Sequence, residues 1–158
     1  MFNVNIPEER RPILIGKDGE TKKLIEKKTK TKIAIADDEI SVEGENQLVT
    51  GEIIRAIGRG FSPQRALRLL DSDCILDVIQ IKGTQNKIKR LMSRVIGSDG
   101  RARRNIENMT GALISVYGKT VSIIGNYKEV EHARKGVEML LKGHKHPYVY
   151  RHLETIIG

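Results

Sequence analysis

The stretch Ile15-Gly16-Lys17-Asp18-Gly19 returns as Ile96-Gly97-Ser98-Asp99-Gly100, each time at the head of a basic stretch of helical composition. The offset is 81 positions, and it carries well past the loop. It superimposes Ile25 on Ile106, Thr29 on Thr110, Ile33 on Ile114, Ile40 on Val121, Ser41 on Ser122 and Gly44 on Gly125, with no gap from Ile15 to Gly44. A repeat this long marks two duplicated folding units, not a chance tetrapeptide. Units of this size bury only about 60% of their unfolded surface, so the halves are expected to pack together as one compact pair.

Periodicity orders the elements within each half. Phe2, Val4 and Ile6 alternate with polar residues as a half-buried strand does. After the first glycine loop, Glu20 to Thr29 reads as a helix with Leu24 and Ile25 as apolar anchors. Ile33 and Ile35, then Ile40 and Val42, predict a hairpin across Ala36 to Glu39, and Val49, Ile53, Ala56 and Ile57 mark one face of a helix. In the second half a strand is expected from Cys74 to Ile81. Ile88, Leu91, Met92 and Val95 fall at helical spacing, and this helix is longer than its counterpart. A helix from Arg101 to Thr110 and strands around Ile114 to Val116 and Val121 to Ile123 follow. Asn126 with Glu129 three residues on forms a capping box, ahead of a stripe of Val130, Ala133, Val137, Leu140 and Leu141. Ser62 and Pro63 open a connecting helix with Leu67 and Leu70 inward, and Pro147 a terminal one bearing Val149, Leu153 and Ile156.

Each half therefore reads strand, helix, glycine loop, helix, strand, strand, helix. A G-x-x-G turn lets backbone approach a phosphate closely, and the helix after it aims free N–H groups at the same anion. Two copies in this order define the organisation of a KH domain of type I, whose GxxG loop clamps about four nucleotides of single-stranded nucleic acid. The expected fold class is α+β. The first KH domain spans 1–60, a connecting helical segment 61–72, the second KH domain 73–143 and a C-terminal helical tail 144–158.

The net charge of +8 is focused on the loops. Ile15 to Lys32 holds seven lysines against three acids, a net of +4, and Lys82 to Arg104 holds eight basic residues against Asp99 alone, a net of +7. The rest of the chain carries −3. That distribution suits a polyanion partner better than a solvated face, because both runs fall at equivalent repeat positions. The RNA-binding candidates are Gly16, Lys17, Asp18, Gly19, Lys22, Lys23 and Ile25 in the first half. In the second they are Gly97, Ser98, Asp99, Gly100, Arg101, Arg104, Asn105, Ile106 and Asn108. Ile15, Ile33, Ile96 and Ile114 are further candidates for an aliphatic groove floor. With no Trp, two Phe and four Tyr, the chain has few stacking platforms of the kind that other RNA-reading folds use. Five arginines in the second run, against lysines only in the first, point to the second half as the main reader of sequence.

Enzymatic chemistry finds no foothold in the sequence. Neither loop continues into the Lys-Ser or Lys-Thr of a Walker motif. His144, His146 and His152 are expected to shape the terminal helix rather than bind a metal, and Cys74 to be a buried core thiol. No cofactor is implied. The lone cysteine rules out an internal disulfide and suits a reducing, cytoplasmic setting.

The segments Arg59-Gly60-Phe61-Ser62-Pro63 and Ala66-Leu67-Arg68-Leu69-Leu70-Asp71 resemble the interdomain stretch of tandem-KH ribosome-assembly proteins. So do Ile114 to Val121 and the ending Val149-Tyr150-Arg151-His152-Leu153-Glu154. Over nearly its whole length the chain is similar to the archaeal Partner-of-Nob and Krr-type family. That resemblance implies binding of single-stranded RNA near the 3′ end of small-subunit ribosomal RNA. It also implies the Nob endonuclease and the alpha subunit of initiation factor two as partners. In eukaryotic relatives the first domain has typically lost its GxxG, whereas Gly16 and Gly19 are both present here. The alternatives are a general KH module in RNA decay or messenger RNA binding, and a protein-interaction scaffold that retains the fold.

Overall fold

The computed structural model describes all residues from Met1 to Gly158, which divide into two compact units, Met1–Ser72 and Asp73–Gly158. The first contains β1 (Phe2–Val4), α1 (Arg11–Ile15), α2 (Glu20–Thr29), β2 (Thr31–Ile35), β3 (Ile40–Gly44) and α3 (Gln47–Gly58). The short α4 (Pro63–Ala66) and a 3-10 turn at Leu67–Leu70 close it and pack on α3. The second contains β4 (Cys74–Gln80), α5 (Gln85–Ile96), α6 (Arg101–Thr110), β5 (Leu113–Tyr117), β6 (Thr120–Asn126), α7 (Tyr127–Leu141) and α8 (His146–Ile157). Both glycine loops contain a single 3-10 turn, at Lys17–Gly19 and Ser98–Gly100.

Each unit has one antiparallel three-stranded sheet with its last strand in the middle, β1-β3-β2 and β4-β6-β5. Alternation along the strands sends every second residue to the helices. In the second unit Ile79, Ile114, Val121 and Ile123 from the strands share a core with Ile88 and Val95 of α5, Ala102 and Ile106 of α6, and Val130, Ala133, Val137 and Leu140 of α7. Helix α8 adds Val149 and Leu153 to the same core. The capping box forms as the sequence predicts, with Asn126 Oδ1 accepting from Glu129 N and Glu129 Oε1 accepting from Asn126 N, both at 2.8 Å. Arg134 on α7 reaches Asp77 on β4 at 2.6 Å, and this hydrogen bond is the main cause that raises its pKa.

Several expectations need correction. Leu24 is 43% exposed, because Ile25 alone on that turn of α2 faces the core. In the connecting segment the buried residues are Phe61, Ala66 and Leu69, while Leu70 lies outward, since the helix tightens to 3-10 after Ala66 and shifts the inward face. Ile156 is exposed as α8 runs past the end of the core. Cys74 is half-buried, not a core thiol, as it begins a strand at the sheet's edge. His144 packs edge-on to Tyr148, and the His146 ring nitrogen Nε2 lies 2.9 Å from Arg94 O.

Candidate nucleic-acid interface

The two glycine loops are copies down to their dihedral angles. Gly16 and Gly97 have φ/ψ of 75°/177° and 76°/176°, Asp18 and Asp99 54°/26° and 54°/29°, and Gly19 and Gly100 both 74°/14°. The glycines do different work. A Cβ on Gly97 would lie 2.7 Å from Ala102 N, so this position is closed by the helix that follows. A Cβ on Gly100 would meet only the end of Arg104, which leaves the outer surface open to an approaching ligand. Replacing Gly97 with Ala should cost more stability than Gly100→Ala, since both pay for positive φ but only the first meets backbone. Thermal melts of the two variants would check this ordering.

The acid in each loop is a backbone choice. Asp18 and Asp99 adopt the left-handed conformation, which short polar side chains tolerate better than most residues. Asn keeps that tolerance and removes the charge. Asp18→Asn with Asp99→Asn is therefore expected to tighten RNA binding several-fold at low salt without lowering the melting temperature, a shift that a filter-binding titration would read.

Helices α2 and α6 leave each loop with free N–H groups, capped by no side chain. On α6, Arg101, Arg104 and Asn108 are exposed and Asn105 half-buried, all on one face, while Ala102 and Ile106 on the other enter the core. Lys17, Lys23 and Ser98 are likewise exposed. Ile25 and Ile106 are wholly buried, as is most of Ile33 and Ile114, so they hold the groove wall from within and touch no ligand. Ile15 and Ile96, the last residues before the loops, remain half-exposed.

Not every cation near the loops is free for a ligand. Lys22 lies 3.6 Å from Glu26 and, at the equivalent position, Arg103 lies 2.9 Å from Glu107. The same carboxylates accept from backbone N–H groups of the next strand, Glu26 from Ile33 at 2.8 Å and Glu107 from Ile114 at 2.7 Å. This duplicated pin fixes each loop-bearing helix to its sheet. Removing the Glu107 carboxylate strands the Ile114 N–H, and Glu107→Ala should cost about 1–3 kcal/mol in a denaturant titration. Arg94 is also committed, donating from Nε to Leu140 O at 2.9 Å and from Nη2 to His144 O. The sequence marks Lys22 as a ligand-facing candidate and counts Arg94 and Arg103 only toward the charge of the second basic run; the repeat of Glu26 as Glu107 is the signal against Lys22.

Two domains, each with a GxxG loop between two helices and a last-strand-central sheet, define a tandem KH protein of type I. A family profile described as "Eukaryotic type KH-domain (KH-domain type I)" matches residues 11–68 and again 73–157, and the chain belongs to that family. It is 43% identical to KH domain-containing protein MJ0443 of Methanocaldococcus jannaschii over 96% of this chain and 71% of that protein. It is 25% identical to pre-rRNA-processing protein PNO1 of Chaetomium thermophilum over 79% of this chain, and spans 51% of that relative's length. Among solved structures, Dim2p from Pyrococcus horikoshii superimposes with a TM-score of 0.91 at 44% identity, covering 98% of both chains. A chain from the a/eIF2alpha-aDim2p-rRNA complex of the same organism gives 0.90 at 46% identity, covering 98% of this chain and 92% of that one. No helix is long and apolar enough to cross a membrane.

Proposed function

We propose that this protein binds single-stranded RNA near the 3′ end of small-subunit ribosomal RNA during ribosome assembly, and that it does so as a binding protein, not an enzyme. The observation that carries the reading is the Gly97–Gly100 loop, open on its outer side and followed by exposed Arg101 and Arg104 on one face of α6. The backbone N–H groups and the two guanidinium forks supply phosphate contacts. The relatives support the RNA class, since one is named for pre-rRNA processing and another was crystallised with rRNA and a/eIF2alpha. The alpha subunit of initiation factor two is accordingly the first protein partner to test. The Nob endonuclease rests on the family resemblance.

Gly16, Lys17, Asp18, Gly19, Lys22 and Lys23 give the first domain the same loop with a weaker cationic surround. Where α6 carries Arg101 and Asn105, α2 carries Glu20 and Leu24. The first domain contributes attraction and the second the reading of sequence. Crosslinking in cells followed by sequencing of the bound RNA tests the whole proposal. Reads concentrated at the 3′ end of small-subunit ribosomal RNA are expected; reads spread over messenger RNA would instead support a general KH module.

A further inference from the structure

Two parts of the second domain have no counterpart in the first. Helix α5 has twelve residues against five in α1, and the twelve-residue α8 follows α7 where only the four-residue α4 follows α3. Hydrogen bonds tie these two parts together. Arg94 on α5 donates from Nε to Leu140 O and from Nη2 to His144 O, and the His146 ring nitrogen Nε2 returns to Arg94 O at 2.9 Å. These bonds seat the α7–α8 turn, Lys142 to Lys145, against the last turn of α5.

The seam they form is cationic. No acid occurs from Ile81 to Ser98 or from Met139 to Leu153, and these segments hold five and three lysines and arginines. On α5, Lys87, Arg90 and Arg94 fall at i, i+3 and i+7, one ridge about 10 Å long. Arg94 is committed to the ties, which leaves Lys87 and Arg90 beside Lys142 and Lys145 of the turn, all four exposed and in no ion pair. Glu138, the last acid before the turn, is held by Arg134 at 3.4 Å. The ridge is separate from the side of α5 on which Ile88, Met92 and Ile96 line a cavity.

We propose that this seam is a second RNA site, which holds the sugar–phosphate backbone of a duplex while the Gly97–Gly100 loop holds a single strand. The inference rests on the RNA reading above and goes beyond it. Lysines and arginines on an exposed ridge neutralise phosphates without reading bases. A single strand held there would need successive stacking platforms. The seam offers one exposed ring, Tyr148, edge-on to His144. Duplex RNA needs none, because proteins recognise it by shape, through phosphate and 2′-hydroxyl contacts. A strand that leaves a stem presents both forms at once, and a loop and a seam on one domain suit that junction.

The test uses the full-length protein with two probes, a blunt-ended RNA duplex of about 16 base pairs and a single-stranded fragment from the 3′ end of small-subunit ribosomal RNA. Arg90→Glu with Lys145→Glu should lower duplex affinity at least tenfold and single-strand affinity less than twofold. The melting temperature should hold, because both side chains lie in solvent. Lys28→Glu with Lys128→Glu makes the same change of net charge away from the seam, since Lys128 is in the first turn of α7, about 20 Å along the helix from Lys142. At about 0.15 M salt, charges more than about 8 Å apart are largely screened, so this control should change duplex affinity less than twofold. Unchanged duplex affinity in the Arg90, Lys145 variant overturns the proposal and leaves the seam to an acidic protein surface. An equal loss in the control overturns it as well, since net charge alone would then explain the binding. A single-strand loss as large as the duplex loss makes the seam an extension of the loop site and likewise overturns it. Ser98→Asp distinguishes the two levels. If it leaves single-strand affinity unchanged, the RNA reading itself fails; if it weakens single-strand binding while the Arg90, Lys145 variant keeps its duplex affinity, only the seam assignment fails.

Discussion

Replacing Ser98 with Asp is expected to lower affinity for single-stranded RNA by more than tenfold while leaving the fold intact. Ser98 is exposed in the turn between Gly97 and Gly100, so the new carboxylate meets solvent in the free protein. In the complex it would stand beside Asp99, placing two negative charges where a phosphate approaches. Like charges brought together in an interface cost several kcal/mol, and each 1.4 kcal/mol is a factor of ten. Lys17→Asp places an acid at the equivalent position of the first loop and should cost less discrimination between the ribosomal fragment and a scrambled one, because the first basic run holds only lysines and the second five arginines. Affinities of both full-length variants for both RNAs, with circular dichroism melts as a fold control, give the answer. Equal loss of discrimination would show that the two loops read sequence alike.

The repeat made the architecture legible. An ungapped offset from Ile15 to Gly44 aligns one short helix and two weak strand patterns of each half, so each half corroborates the other, and the Asn126/Glu129 box marks the start of α7. What the sequence hid was the commitment of particular side chains. Arg94 counts as one more positive charge in a basic run, yet its guanidinium is held by carbonyls 46 and 50 residues away. Periodicity reports which face of a helix is apolar, but not where a long side chain ends. The same blindness applies to Arg11, whose guanidinium donates to Ala36 O, 25 residues away. Asp99 carries the wrong sign of charge for a phosphate site, and its positive φ supplies a conformational reason for its presence that the sequence does not show. Leu24 failed because α2 buries only a narrow face, taken by Ile25 and Thr29, and Leu24 lies beside it.

Once Arg94 and Arg103 are set aside as internal ties, Arg101 and Arg104 are the cations through which the proposed phosphate binding of the second domain is tested. They lie one turn apart on the exposed face of α6, immediately after the loop. Each phosphate neutralised releases counterions and contributes about 0.7 to the slope of log affinity against log salt for a single strand. The double variant Arg101→Ala, Arg104→Ala should therefore lower that slope by about 1.4 and weaken binding most at low salt. Arg103→Ala provides the contrast. Its guanidinium is 2.9 Å from Glu107, so its loss should reduce stability while leaving the slope nearly unchanged. Alanine is a strong helix former, and with their side chains in solvent Arg101 and Arg104 are replaceable without disturbing the core. A full slope retained by the double variant would mean that these arginines are only a solvated helix face, and the phosphate contacts would have to be sought in the exposed lysines Lys82, Lys87 and Lys89 instead.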